Sequence, residues 1–224
     1  MNGTRNRKRP PLTAPPVRRG DVPMLVQPAQ HTSRTWIIDS RRWQHYRPRS
    51  DDIIIATYPK CGTTWMQRIV GLLVFQTPDP QPITQASPWI DRRFPEPVEA
   101  MVARIEAQSH RRFLKSHLPF DGQPIYDEVK YIHVARDGRD ACLSFHNHGL
   151  AFTAQALEAL DRAGLEHETI GRPYPRLPAD PAEHFHRWLT QGVVPGRRCR
   201  SFSSSEAGGA SAIARTFCSS TTMT

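Results

Sequence analysis

The 224-residue chain reads as an α/β protein: a parallel sheet flanked by helices, built around a phosphate-binding type of loop. Three observations predict this. An apolar run, Ile53 to Ala56, passes through a short loop of Lys, Gly and Thr into a helical pattern. A second run, Lys130 to Ala135, leads into another helix from about Asp137. A third short run, 112–117, lies between them. Strands that alternate with helices imply parallel pairing and a sheet covered on both faces.

Taken in order, residues 1–34 are rich in Pro, Arg and Thr, and composition predicts a disordered basic arm there. Met24 is an alternative start that would remove most of it. From Trp36 the pattern becomes globular. Residues 52–58 read as a buried parallel strand. Residues 63–76 read as a helix with Trp65, Ile69, Leu72, Leu73 and Phe75 on or near its apolar face. A proline-rich loop follows over 77–98, then a helix over 98–108, strands over 112–117 and 130–135, and helices from Asp137 and over 180–191. Residues 35–194 form the expected folded unit, and 195–224, dominated by Ser, Gly, Ala and Thr, an irregular tail.

The net charge is +9, but its distribution argues against a specific nucleic-acid partner. Residues 1–34 hold seven Lys/Arg against Asp21, and residues 195–224 hold four Arg against Glu206, whereas residues 35–194 balance 19 basic with 19 acidic side chains. The excess therefore belongs to the flanks, where a polybasic arm is a solvated tail or a binder of RNA or anionic lipid. No run is long and apolar enough for a membrane span, and the N-terminus lacks the apolar core of a secretory signal. Cys61, Cys142, Cys199 and Cys218 show neither paired nor metal-ligand spacing, so no metal is expected and a reducing, cytoplasmic setting fits best.

The most informative segment is Thr57-Tyr58-Pro59-Lys60-Cys61-Gly62-Thr63-Thr64-Trp65. Amides at a helix start lack internal partners, and the helix dipole adds partial positive charge there. Lys60 adds a full charge, and Thr63 and Thr64 add hydroxyl donors. A nucleotide triphosphatase loop places its Lys after the last Gly; here Lys60 precedes Gly62, which disfavours a small-molecule kinase.

This segment closely resembles the 5′-phosphosulfate loop of sulfotransferases that use 3′-phosphoadenosine 5′-phosphosulfate, usually T-Y-P-K-S-G-T-T-W. Only Cys61 departs from that form. The resemblance, to the cytosolic and bacterial-like type, implies that Lys60, Cys61, Gly62, Thr63, Thr64 and Trp65 hold the nucleotide, Trp65 stacking on adenine. Arg136, at the end of the 130–135 strand, and Ser144, eight residues on, match the family's 3′-phosphate motif. A forked guanidinium and a hydroxyl suit a phosphate. Phe113-Leu114-Lys115-Ser116-His117-Leu118-Pro119 resembles the K-T-H-L-P segment, which implies His117 as general base, with Lys115 and Lys60 assisting at the sulfuryl group. Trp89, Phe94, His146 and Phe152 are candidate walls for a small-molecule acceptor of unspecified class. Oligomeric state is left open.

The resemblance covers about residues 35–194. Family members continue into a strand reading N-V-L-L-V-H-Y-N-D and a late R-x-G-x-x-G segment, neither of which follows here. Read from the third base of each codon, Phe217-Cys218 must encode Leu and Met223-Thr224 must encode Asp. Synonymous choices from Arg215 to Thr224 complete that strand, and Ala207-Gly208-Gly209 permits Trp-Trp. The expectation is a C-terminal truncation by a frame change near Gly196 to Cys199, which the gene's nucleotide sequence tests. The alternative reading is an inactive remnant that at most binds the nucleotide.

Overall fold

The computed structural model describes residues 22–79, 81–168 and 170–191. Most of the basic arm, the tail and the region of the expected frame change lie outside them. The elements are β1 (Leu25–Gln27), β2 (Ile53–Thr57), α1 (Thr63–Phe75), α2 (Ile83–Ala86), α3 (Val98–Glu106), β3 (Phe113–Ser116), β4 (Ile125–Tyr126), β5 (Lys130–Val134), α4 (Gly138–Leu150), α5 (Ala154–Leu165) and α6 (Pro181–Gln191). A short 3-10 helix spans Ser40–His45.

β2 is the centre of a three-stranded sheet, between β3 and β5 and parallel to both. Ile54 stands beside Leu114 and Tyr131, and Ala56 beside Ser116 and His133. Every residue of β2 is buried, which explains a run of Ile with no polar alternation: both faces are covered. The two faces feed different cores. Ile53, Ile55 and Phe113 pack with Val70 and half-buried Met66, Val74 and Phe75 of α1. Ile54, Ala56 and Leu114 pack with Trp43, Tyr46, Met101 and Ile105. The segment Pro88–Ile90 lies along the outer side of β3. There Lys115 N donates to Pro88 O and Ile90 N donates to Lys115 O, an arrangement that places Trp89 beside Lys115.

At the opposite end of β2 sits a buried charged cluster. Asp52 is fully buried and accepts from Arg112 Nε at 2.7 Å and from the Tyr46 hydroxyl at 2.6 Å. Arg112, also buried, donates to Glu106 Oε1 at 3.0 Å and to the Arg47 carbonyl at 2.7 Å. A buried ion pair persists only when its remaining donors and lone pairs are matched, as these are. The cluster ties β3, α3 and the entry to β2 together away from the site.

Two expectations need correction. Trp65, Ile69, Leu72 and Leu73 of α1 are exposed, at 80%, 43%, 52% and 65%, while Thr63, Gln67, Val70 and Gly71 are the buried side. How α1 packs on the sheet sets which face is buried, and the buried side carries a small residue: Gly71, where an added Cβ would lie 3.6 Å from the Phe113 ring. Residues 22–34 also differ from a wholly disordered arm. β1 pairs antiparallel with β4, and Arg34 bridges to Asp39.

Candidate functional site

The carboxyl ends of β2, β3 and β5 lie side by side. In open α/β sheets this edge receives ligands. Each strand delivers one of the sequence-predicted groups: β2 the Lys60 loop, β3 His117, and β5 Arg136.

The loop after β2 turns at Tyr58–Cys61, where Cys61 N donates to Tyr58 O at 3.2 Å. Lys60 has φ 69° and Gly62 has φ 97°. The Gly62 conformation is one that a side chain rarely adopts, although space for a Cβ exists, its nearest neighbour being Val134 Cγ1 at 3.9 Å. Gly62 caps α1 with no side-chain hydrogen bond. The first amides of α1 therefore stay available beside Lys60, in a concave backbone of the kind that binds anions. Thr63 and Thr64 differ in role. Thr63 is buried and its hydroxyl pairs with that of Thr57, which fastens the helix start to the strand end. Thr64 is exposed. Cys61 is buried. Trp65, exposed as noted above, stands in the first turn of α1.

Arg136 reaches back to this loop, where its Nη1 donates to Lys60 O at 3.3 Å, and its other arm lies 3.7 Å from Asp140. Ser144 is half-buried, two turns into α4. Asp137 starts α4 by accepting from Arg139 N at 2.9 Å, which fixes the turn from which Arg136 projects.

His117 follows β3 directly. Its Nδ1 lies 2.8 Å from the Thr57 carbonyl oxygen. A carbonyl can only accept, so Nδ1 carries the proton and Nε2 holds the lone pair. Burial, with the charges of Lys115 and Lys60 nearby, lowers the His117 pKa to about 3. The ring is therefore a neutral base at ordinary pH. Its edge meets Trp89, ring centroids 4.8 Å apart at 83°.

Trp89 also touches Lys115, whose Nζ lies 4.2 Å from the indole centroid. That is cation–π range. Burial lowers Lys115 to about 8; Asp91 pulls it up, and Arg92 and Lys60 push it down. Asp91 was not anticipated from the sequence. It is fully buried, and its Oδ2 accepts from the Trp89 indole at 3.0 Å and from His117 N at 3.2 Å. One carboxylate thus holds both the indole and the backbone of the candidate base. The only sequence signal was an acid two residues after a Trp, and the register against β3 that gives it meaning is tertiary.

The expected acceptor walls divide. Trp89 lies at the site, in contact with His117 and Lys115. Phe94 and Phe152 pack against Trp36, Leu160 and Tyr174 in a separate cluster. His146 turns away from the sheet edge. It is buried and stacks on His184 of α6 at 4.7 Å, with Nε2 2.8 Å from Pro178 O. His148, two residues on, feels the charges of Lys60 and Lys115 and contacts Phe152. It therefore belongs nearer the site than His146. A helix presents residues two apart on different sides, and sequence alone did not say which side faced the strands. Among the described residues no group of His, Cys, Asp or Glu is arranged to hold a metal.

A cationic, amide-lined loop lies beside a buried neutral imidazole at this sheet edge. The family model described as the sulfotransferase domain matches residues 50–197, and the chain belongs to the sulfotransferase family. It is 41% identical over 160 residues to a protein of Mycobacterium tuberculosis named glycolipid sulfotransferase, covering 70% of this chain and 49% of that protein. It is 32% identical over 111 residues to sulfotransferase 1A1 of Rattus norvegicus, covering 46% of this chain and 38% of that protein. Among solved structures, mouse sulfotransferase SULT7A1 complexed with PAP aligns with TM-score 0.42 at 19% identity, covering 73% of this chain and 48% of that one. The chain spans about half the length of the curated relatives it matches.

Proposed function

We propose that this site transfers a sulfuryl group from 3′-phosphoadenosine 5′-phosphosulfate to a hydroxyl of a small or lipid-linked acceptor. The observation that carries the reading is the convergence on one sheet edge of the Lys60 loop and His117, tied by the 2.8 Å contact of His117 Nδ1 with Thr57 O. The left-handed backbone at Lys60 and Gly62 fits a phosphate-sized anion, and Arg136, which reaches back to this loop, is assigned to a second phosphate. Ser144 is assigned with it, and Trp65 to the adenine face.

In this reading His117 Nε2 takes the acceptor's proton as its oxygen attacks sulfur. The new S–O bond forms as the bond from sulfur to the phosphate oxygen breaks. Lys60, the loop amides and Thr64 meet the negative charge that grows on the departing phosphate, and preorganised donors there usually supply the largest share of catalysis. Lys115, fixed over Trp89, faces the sulfuryl oxygens. The names of the mycobacterial relatives make a glycolipid hydroxyl the first acceptor to try. A small-molecule kinase is set aside by the position of Lys60 and by the family match.

Calorimetric titration with 3′-phosphoadenosine 5′-phosphate tests the donor half of the reading. Saturable binding that is lost in Lys60→Ala supports it. Binding indifferent to Lys60, or no binding, refutes it. Binding in the absence of turnover would leave a nucleotide-binding remnant.

A further inference from the structure

A cavity of about 320 Å³ opens beside the Ser40–His45 helix, and its lining includes Asp39, Arg41, Arg42, Gln44, His45 and Arg93. Its size falls at the lower end of the range for ligand pockets. Three of these side chains are guanidinium groups and one is a carboxylate, and the carboxylate is already engaged. Asp39 accepts from Arg41 Nε at 3.0 Å and from Arg41 Nη2 at 2.7 Å, and Arg34 Nε lies 3.5 Å from its Oδ2.

Arg42 and Arg93 meet carbonyls instead. Arg42 is buried and donates four of its five N–H groups: Nε to Ile90 O at 3.2 Å, Nη1 to Arg93 O at 3.4 Å, and Nη2 to Glu96 O at 3.0 Å and Pro97 O at 3.4 Å. Arg93 Nη1 donates to Thr35 O at 3.4 Å. Carbonyls fix a guanidinium in place but bring no net charge to balance it. The acids nearby do not make up the difference. Glu96 is bound to Arg104 at 3.0 Å, and Glu99 and Glu166 act on Arg42 and Arg93 only as charges at a distance. Burial lowers the pKa of both arginines, and Arg34 adds to the effect at Arg93. Both still carry their charge, because the ordinary arginine value is so high.

We propose that this cavity binds an oxyanion: a phosphate or sulfate group, either free or carried as a monoester. The planar fork of a guanidinium matches the oxygens of such a group, and the two under-balanced arginines supply the charge. Gln44 adds an amide donor. The cavity shares no residue with the Lys60 loop and does not depend on the donor assignment made above. It does share backbone with the candidate site. Asp39 N donates to Asp91 O at 2.9 Å and Arg42 Nε bonds Ile90 O, while the Asp91 side chain holds Trp89 and His117 N.

Calorimetric titration of the full chain carrying Lys60→Ala tests the proposal, because that background lacks the cation of the donor loop. The probes are inorganic phosphate and glycerol 3-phosphate at low chloride. The expected result is saturable binding that weakens roughly tenfold when Arg93→Gln is added, as the loss of a hydrogen bond to a charged group implies. Adding Asp39→Asn, which removes the carboxylate from the lining, should tighten it. Tighter binding of glycerol 3-phosphate identifies a monoester as the occupant, and equal or tighter binding of phosphate a free ion. Neither change removes a carbonyl contact of Arg42, and circular dichroism verifies that the variants keep the fold. Binding that neither change alters, an adventitious ion only, would overturn the proposal. So would the absence of saturable binding in the Lys60→Ala chain; phosphate bound by the wild-type chain alone would belong to the donor loop.

Discussion

His117 Nδ1 sits 2.8 Å from the carbonyl oxygen of Thr57, so the last residue of β2 sets the protonation pattern of a histidine just beyond the end of β3. The same Thr57 binds Thr63 through its hydroxyl. One residue therefore links the imidazole to the start of α1.

The base role predicts a clean separation of binding from turnover. His117→Ala should lower kcat by about 10²–10⁴-fold, the usual worth of a positioned general base, while leaving the affinity for 3′-phosphoadenosine 5′-phosphate unchanged. A variant with normal kcat would show that the proton leaves by another route.

The pH profile has a definite sign. His117, lowered to about 3, is already neutral well below its ordinary range. Lys115, lowered to about 8, loses its charge as pH rises past that value. The free-enzyme profile, kcat/KM against pH, should therefore lack a limb near 6.5 and fall on the alkaline side from about 8. A limb near 6.5 that disappears in a His117 variant would contradict the assignment.

Asp91 should act through Trp89 and Lys115. Asp91→Asn preserves shape and an acceptor oxygen but removes the carboxylate, itself raised in pKa by burial, whose charged form supports the charged form of Lys115. The alkaline limb should move to lower pH. Trp89→Phe keeps a ring against Lys115 and loses the indole bond to Asp91, so kcat should fall with little loss of stability. If neither the limb nor kcat moves, Asp91 is only a structural anchor.

Gly62→Ala should weaken nucleotide binding. At φ 97° a Cβ strains the backbone by about 1–2 kcal/mol, and relief comes from reshaping the loop. Thermal unfolding and nucleotide titration would both register the change. An unaltered Kd would show that the loop shape does not matter.

The charged cluster at the other end of β2 predicts a stability effect without a site effect. Arg112→Met leaves Asp52, fully buried, without its partner, and breaking such a pair costs about 3–5 kcal/mol. Urea unfolding at neutral pH measures this. A loss under 1 kcal/mol would mean that Tyr46 and the Arg49 amide, which also bond Asp52, are sufficient.

The elements that place the candidate site were legible in the sequence because each is local. A strand, a loop and a helix in continuous sequence announce Lys60, and the ends of two further strands announce His117 and Arg136. What the sequence did not show is set by packing between segments. The buried side of α1 depends on how the helix crosses β2, so a stripe from Trp65 to Leu73 that looked like core is exposed. His146 and His148 differ only in which side of α4 meets α6. Asp91 gains its place from the pairing of Pro88–Ile90 with β3, a contact between segments 25 residues apart. β1 and β4 are too short for a periodic signal.

The measurement that bears most directly on the account is sulfuryl transfer itself. The purified chain is incubated with 3′-phosphoadenosine 5′-phosphosulfate and a glycolipid bearing a free hydroxyl, and the acceptor is weighed by mass spectrometry. The account predicts an acceptor heavier by one sulfuryl group, formed by the wild-type chain and not by His117→Ala. A sulfated product formed equally well by the His117 variant would contradict it, as would nucleotide binding with no product from any hydroxyl acceptor.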